Sequence, residues 1–175
     1  NAETLEPEGE RRDMLKGLQL DRHTHRELMN HARGVGLEYI CTPFDVKALN
    51  WLVLAEVKTI KIGSGNNTDK ELLHAAAISG CGIIMSTGMM TTESLTDSMR
   101  ILGHATLLHC ISAYPAPIED MNLRVIPMLR NSWRNCDVGL SDHSIGTILP
   151  AAAVAMGATV IEKHLTFDPE GDGPD

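Results

Sequence analysis

Two short apolar segments end in residues that can hold a divalent cation or carry protons. One reads VGLSDH and ends at His143, and the other reads VIEKH and ends at His164. Residues two apart in a strand share a face, so Ser141 would point with His143 and Glu162 with His164. If the strands are neighbours, the two imidazoles lie roughly 5 Å apart and can share one metal ion. The alternative is that one histidine serves a buried hydrogen-bond network and the other is incidental.

A lysine inside another apolar segment raises a second question. Lys61 lies in KIGSG, and an ammonium group in a buried strand is costly unless it is paired. One interpretation is an ion pair with a carboxylate such as that of Glu162. The other is an anion site made of the ammonium group, the Ser64 hydroxyl and the N–H groups near the two glycines. The STG segment at Ser86–Gly88 would add a hydroxyl, or it is a plain turn between strand and helix.

Other reactive side chains are predicted to have no catalytic role. Cys110 follows His109 at a strand end, but the sequence fixes no base beside the thiol, so a buried structural cysteine is the favoured interpretation. His23, His25 and His31 lie on a polar helix and are predicted to face solvent.

Composition restricts the class of protein. The 175 residues suffice for a hydrophobic core, and the net charge of −8 argues against binding to nucleic acid or to anionic membranes. The four cysteines contain no C-x-x-C pair, which predicts reduced thiols in a cytoplasmic protein. The longest near-apolar run contains Pro150 and is too short to span a bilayer, and no signal peptide is visible.

Stretches typical of strands and helices alternate along the chain, which predicts a parallel sheet covered by helices. The predicted strand runs are 37–45, 57–65, 82–88, 105–110, 137–143 and 158–164. Six helices are predicted, and three of them lie at 46–55, 123–133 and 149–156. A further helix is capped by Asp21 and ends at Gly34 or Gly36, and another runs from Thr91 or Thr92 to before Gly103. The sixth begins with a capping box from Thr68 to Glu71 and ends near Ser79.

Polar residues end every one of these six runs, and this favours a barrel over an open doubly wound sheet. In a barrel the carboxyl ends of the strands converge on one mouth, whereas an open sheet spreads them along an edge. No G-x-G-x-x-G or P-loop pattern follows any strand. The predicted fold is therefore an α/β, TIM-type (β/α)8 barrel that is incomplete here, with about six units and the first two strands absent. We divide the chain into a loop or frayed arm at 1–16 and a partial barrel at 17–175.

Several segments, taken together, resemble the sialic acid (N-acetylneuraminate) synthase family. They are TPFD (42–45), KIGSG (61–65), STGM (86–89), LLHCISAYPAPIEDMNL (107–123), GLSDHS (139–144), VIEKHLTFD (160–168) and GPD (173–175). The resemblance implies a TIM-type barrel, truncated here at both ends. It also implies a transferase that joins phosphoenolpyruvate to an N-acetylated hexosamine such as N-acetylmannosamine. The product would be a nine-carbon 2-keto acid, with release of phosphate and the help of Mn²⁺ or Mg²⁺.

The resemblance also implies roles for individual residues. His143 and His164 would be the metal ligands, and these two, Glu162 and Lys61 would be the catalytic residues. The implied phosphoenolpyruvate pocket is Thr42, Lys61, Ser64, Ser86 and Ser141. The implied sugar contacts are Ser112, Tyr114 and Asp175. One departure is Asn66, which stands where the family usually has an acidic residue.

Three expectations about the whole protein follow from the resemblance. The family's catalytic glutamate and a further phosphate-binding lysine would precede residue 1, so these 175 residues alone are expected to be inactive or nearly so. The complete protein is expected to be a homodimer. The sugar stays open among the precursors of sialic, legionaminic and pseudaminic acids and of a spore-coat polysaccharide. A non-catalytic module that binds a metal or a sugar phosphate is the alternative from another class.

Overall fold

A computed structural model describes residue 13 and residues 16–168, in which five strands alternate with helices. Most of the predicted arm at 1–16 lies outside the described residues. In chain order the elements are α1 (Arg22–Gly34), α2 (Val46–Leu54), β1 (Thr59–Ile62), α3 (Lys70–Ala77), β2 (Gly82–Ser86), α4 (Thr92–Leu102), β3 (Thr106–Cys110), a 3-10 turn (Ile118–Asp120), α5 (Val125–Ser132), β4 (Val138–Asp142), α6 (Ile148–Ala155) and β5 (Val160–Lys163).

The five strands form one parallel sheet in the order β1-β2-β3-β4-β5. Each strand therefore lies beside the next one along the chain, as successive β/α units require. Lys61 of β1 and Glu162 of β5, the first and last strands, contact each other, which shows that the sheet is curved with both residues on its concave side. The fold is an α/β half-barrel, which confirms the predicted class and the incomplete barrel. The expectation of eight β/α units concerns the whole protein and stays a prediction.

The prediction of six strands is wrong by one. The run at 37–45 forms a single parallel bridge between Cys41 and Ile60, in which the Lys61 N–H donates to the Cys41 carbonyl at 3.0 Å. Proline at position 43 has no N–H to donate to a ladder. Two residues later Asp45 already caps α2, with its carboxylate accepting from the Ala48 N–H at 2.6 Å. The extended segment is therefore too short for a strand.

Most predicted helices are present within two residues of their expected ends. Asp21 caps α1 by accepting from the Thr24 N–H at 2.8 Å, and Thr91 and Ser94 form the capping box of α4. One cap was predicted wrongly. The residue that caps α3 is Asp69 and not Thr68, because the Asp69 carboxylate accepts from the N–H groups of residues 71 and 72.

Aliphatic side chains fill the core between the helices and the sheet, as the scarcity of aromatic residues requires. All five residues of β4 are buried, as expected for a parallel strand covered on both faces. The largest fully buried side chains are Leu49, Leu52, Ile60, Ile62, Leu72, Leu73, Met85, Leu107, Leu108, Met121, Ile126 and Leu129. The four cysteines are free thiols, as predicted. Within residues 13 and 16–168, no helix is long and apolar enough to cross a membrane.

Candidate active site

The carboxyl ends of all five strands, together with the bridge segment, surround one cavity of about 500 Å³. This confirms that the polar strand ends converge on a common mouth, which was the argument for a barrel. The residues that line the cavity are Thr42, Phe44, Lys61, Gly63, Ser64, Ser86, Cys110, Tyr114, Ser141, Asp142, His143, Glu162, Lys163 and His164.

The two strand-end histidines lie side by side at this mouth, with ring centroids 5.3 Å apart. The Nδ1 atom of His143 lies 2.8 Å from the Ile111 carbonyl oxygen. Because a carbonyl only accepts, Nδ1 carries the proton, and in the neutral ring Nε2 keeps a free lone pair. This is the arrangement in which metal-binding histidines are usually held.

The donor set fits an open metal site rather than a closed one. Among the residues that the structure describes, no group of three or more His, Cys, Asp and Glu side chains is placed to bind a metal. Two imidazoles would hold Mn²⁺ or Mg²⁺ only with help from water or a ligand, with the Glu162 carboxylate nearby in the same cavity. Open coordination positions are typical of catalytic sites.

Cys110 and His143 influence each other's protonation. Their Sγ and Nδ1 atoms are 4.0 Å apart, so the structure places beside the thiol an imidazole that the sequence did not reveal. The contact with the Cys110 thiol raises the pKa of His143, although partial burial opposes this. Burial raises the pKa of the Cys110 thiol, but contacts with His143, Ser64 and Ser141 outweigh it and leave the pKa below its usual range.

Tyr114 packs on both imidazoles from the solvent side of the mouth. Its ring centroid is 4.2 Å from that of His143 at a tilt of 34°, and 5.9 Å from that of His164, edge to face. The tyrosine is 57% exposed, so it contacts the imidazoles and also faces solvent.

The opposite wall of the cavity is cationic and rich in hydroxyl groups. The Lys61 Nζ lies 3.3 Å from Glu162 Oε2, and the lysine side chain is only 14% exposed. That separation is within ion-pair range, but Glu162 Oε2 is buried and makes no hydrogen bond. The Ser86 hydroxyl is also buried without a hydrogen-bond partner. Unsatisfied buried polar atoms that line a cavity are explained when a ligand group bonds to them.

Gly88 lets two further hydroxyls approach this wall. A Cβ atom at Gly88 would lie 2.5 Å from Ser112 Oγ and 2.6 Å from Ser64 Oγ. Real side chains do not tolerate such separations, so both serines occupy space that only a glycine leaves open. Ser112 is thereby placed beside Ser64, although it does not itself line the cavity.

Asn67, which the sequence did not indicate as a site residue, holds the backbone at the edge of the cavity through hydrogen bonds. Its side-chain Nδ2 donates to the backbone carbonyls of Ser86 and Gly88 at 3.1 and 3.0 Å. The backbone carbonyl of Asn67 accepts from Ser98 Oγ at 2.7 Å. The available signal was an asparagine two residues after Gly65, within a turn, where an amide often bonds to backbone groups. Asn66, its neighbour at the atypical position, is buried with an unpartnered Oδ1.

The predicted site residues come together with few exceptions. Of the predicted set, Ser112 lies just outside the cavity, and Asp175 lies outside the described residues. His109 turns away from the mouth and bonds through Nε2 to the Met121 carbonyl at 2.7 Å. The prediction that His25 faces solvent is wrong: it is half-buried, with its ring against that of Trp51 on α2 and Nδ1 2.5 Å from Tyr39 Oη. His23 and His31 are exposed, as predicted.

A curved parallel sheet whose strand ends surround one polar mouth defines a β/α-barrel class of protein. Within that class, the chain belongs to the NeuB family, which it matches over residues 1–175. It is 38% identical to the N,N'-diacetyllegionaminic acid synthase of Campylobacter jejuni over 93% of the chain and 50% of that protein. It is 36% identical to the pseudaminic acid synthase of Helicobacter pylori over 86% of the chain and 46% of that protein.

A solved structure agrees with the sequence comparison. The N-acetylneuraminic acid synthetase of Leptospira borgpetersenii superposes with a TM-score of 0.87 at 34% identity, over 90% of this chain and 56% of that one. The resemblance to sialic acid synthases drawn from the sequence is therefore confirmed at the level of family. The chain spans about half the length of the curated relatives it matches.

Proposed function

We propose that the protein containing this chain is a transferase that joins phosphoenolpyruvate to an N-acetylated hexosamine, such as N-acetylmannosamine. The product is a nine-carbon 2-keto acid, and phosphate leaves. The observation that carries the proposal is the single cavity with an imidazole pair on one side and Lys61 with serine hydroxyls on the other. A dianionic phosphate ester and a sugar aldehyde need these two kinds of wall.

Different residues of the chain would bind each of the two substrates. The Lys61 ammonium group and the hydroxyls of Ser64, Ser86 and Ser141, with Thr42, would hold the carboxylate and phosphate of phosphoenolpyruvate. Tyr114, with Ser112 and Asp175, would orient the sugar. The enol carbon then forms a bond to the aldehyde carbon, water adds at C2, and the C–O bond to phosphate breaks.

His143 and His164 would hold Mn²⁺ or Mg²⁺. When bound, such a cation acts as a Lewis acid on the aldehyde oxygen of the open-chain sugar. Glu162, which lines the same cavity as His164, would hold a proton of the attacking water.

The identity of the sugar is the finer part of the proposal. The similarity to synthases of legionaminic, pseudaminic and sialic acids supports a nine-carbon acid of this group without selecting one. A precursor of a spore-coat polysaccharide is a further choice. The test supplies phosphoenolpyruvate and Mn²⁺ with each candidate hexosamine in turn and follows the release of phosphate and the formation of a 2-keto acid.

The matched variants are His143→Ala/His164→Ala, which removes the imidazole pair, and Arg100→Ala, which removes an exposed ion pair with Asp97. We expect turnover with at least one hexosamine, loss of turnover in the double variant and normal turnover in Arg100→Ala. Metal binding without turnover on any hexosamine would favour the non-catalytic module that binds a metal or a sugar phosphate.

We also propose the wider setting in which this site works. The half-barrel would be part of an eight-unit barrel in a cytoplasmic homodimer, and residues 1–175 alone would be inactive or nearly so. The half-length match to the curated relatives supports the eight-unit barrel in this proposal. Robust turnover by the isolated 175 residues, free of any longer form, would contradict it.

A further inference from the structure

An ion pair joins the two strand ends that carry the histidines. Lys163 Nζ donates to Asp142 Oδ2 at 2.7 Å and to the Ser144 carbonyl at 2.7 Å. The other carboxylate oxygen, Oδ1, accepts from the hydroxyl and the N–H of Ser144 at 2.7 and 3.0 Å. The Asp142 side chain is 0% exposed and that of Lys163 is 26% exposed, so this is a largely buried network with both carboxylate oxygens bonded.

The strand register makes this pair a neighbour of the metal site. Asp142 of β4 and Lys163 of β5 are direct partners in the parallel ladder. Each is followed in the chain by one of the two histidines, His143 or His164. Any change in the separation or twist of the strand ends at the ion pair is therefore passed to the imidazoles one residue further on, whose centroids are 5.3 Å apart.

Stability alone is a weak reason for such a pair. Buried ion pairs often contribute no more to folding than well-packed apolar side chains of the same size, because removing both charges from water is costly. What a fully bonded pair does provide is a fixed geometry, since the ammonium group bridges a carboxylate on β4 and a carbonyl beyond the end of β4. The nearest groups that need a fixed geometry are His143 and His164.

We propose that Asp142 and Lys163 are positioning residues that hold His143 and His164 at the separation needed to bind one divalent cation. This inference rests on the metal site of the proposed function. Neither residue contacts the cation, and each acts through the strand end that it fixes. Ser144 belongs to the same device, because its hydroxyl and N–H orient the Asp142 carboxylate.

The test is a calorimetric titration of Mn²⁺ into the complete protein and its variants, with the unfolding temperature of each measured alongside. Lys163→Met removes the bridge and keeps an apolar stem of similar length. We expect it to weaken Mn²⁺ binding by about 10- to 100-fold, the usual effect of losing a group that orients a metal ligand. Lys163→Arg, which can still donate to Asp142 and to the Ser144 carbonyl, should return the affinity to within a few-fold of wild type.

A matched control separates positioning from general destabilisation. Leu73 is a fully buried residue of α3, distant in the chain from β4 and β5, so Leu73→Ala should lower the unfolding temperature and leave the Mn²⁺ affinity unchanged. If Lys163→Met does not fold, Ser144→Ala removes only the hydroxyl bond to Asp142 and should weaken Mn²⁺ binding by roughly 3- to 10-fold.

Two results would overturn the proposal. In the first, Lys163→Met or Ser144→Ala binds Mn²⁺ as tightly as wild type while its unfolding temperature falls, so the network is structural only. In the second, the wild-type protein binds no Mn²⁺, and the metal site of the proposed function fails as well. Weakened Mn²⁺ binding in Lys163→Met together with absent turnover on every hexosamine would support the positioning role and refute only the proposed reaction.

Discussion

Lys61 and Glu162 form an ion pair between the first and last strands of the sheet, with 3.3 Å between Nζ and Oε2. In a flat sheet these strands would be four spacings, roughly 19 Å, apart, beyond the combined reach of the two side chains. The pair therefore exists only because the sheet curls around the cavity. The sequence left two interpretations of Lys61, an internal ion pair or an anion site. The structure confirms the pair with Glu162 and leaves the ammonium group on the cavity wall.

The first prediction separates these two roles of Lys61. Lys61→Met should raise the KM for phosphoenolpyruvate by at least about tenfold, because a charge-assisted contact is lost. It should also lower the free energy of unfolding by about 1–2 kcal/mol, because the partly exposed Glu162 carboxylate loses its partner. Steady-state kinetics and urea denaturation measure the two effects.

The double variant Lys61→Met/Glu162→Gln is the control for this experiment. It should recover most of the lost stability, since no unpaired charge remains, but none of the affinity for phosphoenolpyruvate. An unchanged KM in Lys61→Met would mean that the ammonium group serves only the ion pair.

The second prediction concerns the close approach of β4 and β5. A Cβ atom at Gly139 would lie 2.0 Å from the Val160 carbonyl oxygen, which is backbone and cannot move aside without breaking the ladder. Gly139→Ala should therefore cost about 3 kcal/mol or more in unfolding free energy, or prevent folding. Gly34→Ala at the end of α1, where the added Cβ meets nothing within 4 Å, should change stability by less than about 1 kcal/mol. Equal stability of the two variants would show that β4 and β5 are not so close.

The third prediction concerns the hydroxyl-lined wall. Gly88→Ala would place a methyl group against the Ser64 and Ser112 hydroxyls, which must rotate away. Because a hydrogen bond is worth about 1 kcal/mol, we expect the KM for phosphoenolpyruvate to rise about 5- to 10-fold with little change in the unfolding temperature. Gly34→Ala at the end of α1, which does not line the cavity and whose Cβ would meet nothing within 4 Å, is the control. A KM for phosphoenolpyruvate that is the same in both variants would remove Ser64 from the phosphoenolpyruvate site.

Most of the mouth was predictable because its residues are set by local pattern. Apolar runs that end in polar residues identified all five strands, and parallel pairing then brings their ends together without further information. The ion pair of Lys61 with Glu162 was also within reach, because a buried lysine demands a carboxylate and few were available at strand ends.

What the sequence left out depends on backbone conformation and on distant partners. Thr68 and Asp69 are adjacent and can both cap a helix, and only the observed turn selects Asp69. Asn67 reaches carbonyls about twenty residues away, as the hydrogen bonds to Ser86 and Gly88 show. The β-rich run that ends at Pro43 looked like a strand because composition reports propensity, whereas a ladder needs a partner along its whole length.

The last prediction is a pH dependence of stability that arises from His109. Burial lowers the pKa of His109, although the bond to the Met121 carbonyl opposes this. A histidine pKa that is lower in the folded state than in the unfolded state means that the unfolded state binds more protons as the pH falls. The stability contributed by neutral His109 should be complete above about pH 6.5 and be lost as the pH falls below that value.

Urea denaturation at pH 7.5, 6.5 and 5.5 tests this for wild type and for His109→Gln, whose amide can still donate to the Met121 carbonyl. Below pH 6.5 the unfolding free energy of wild type should fall relative to that of His109→Gln, by up to about 1.4 kcal/mol per pH unit for one proton. His31→Gln, at an exposed position on α1, serves as the control and should follow the wild-type curve. If His109→Gln also follows that curve at all three pH values, the buried imidazole does not cause the acid sensitivity of the fold.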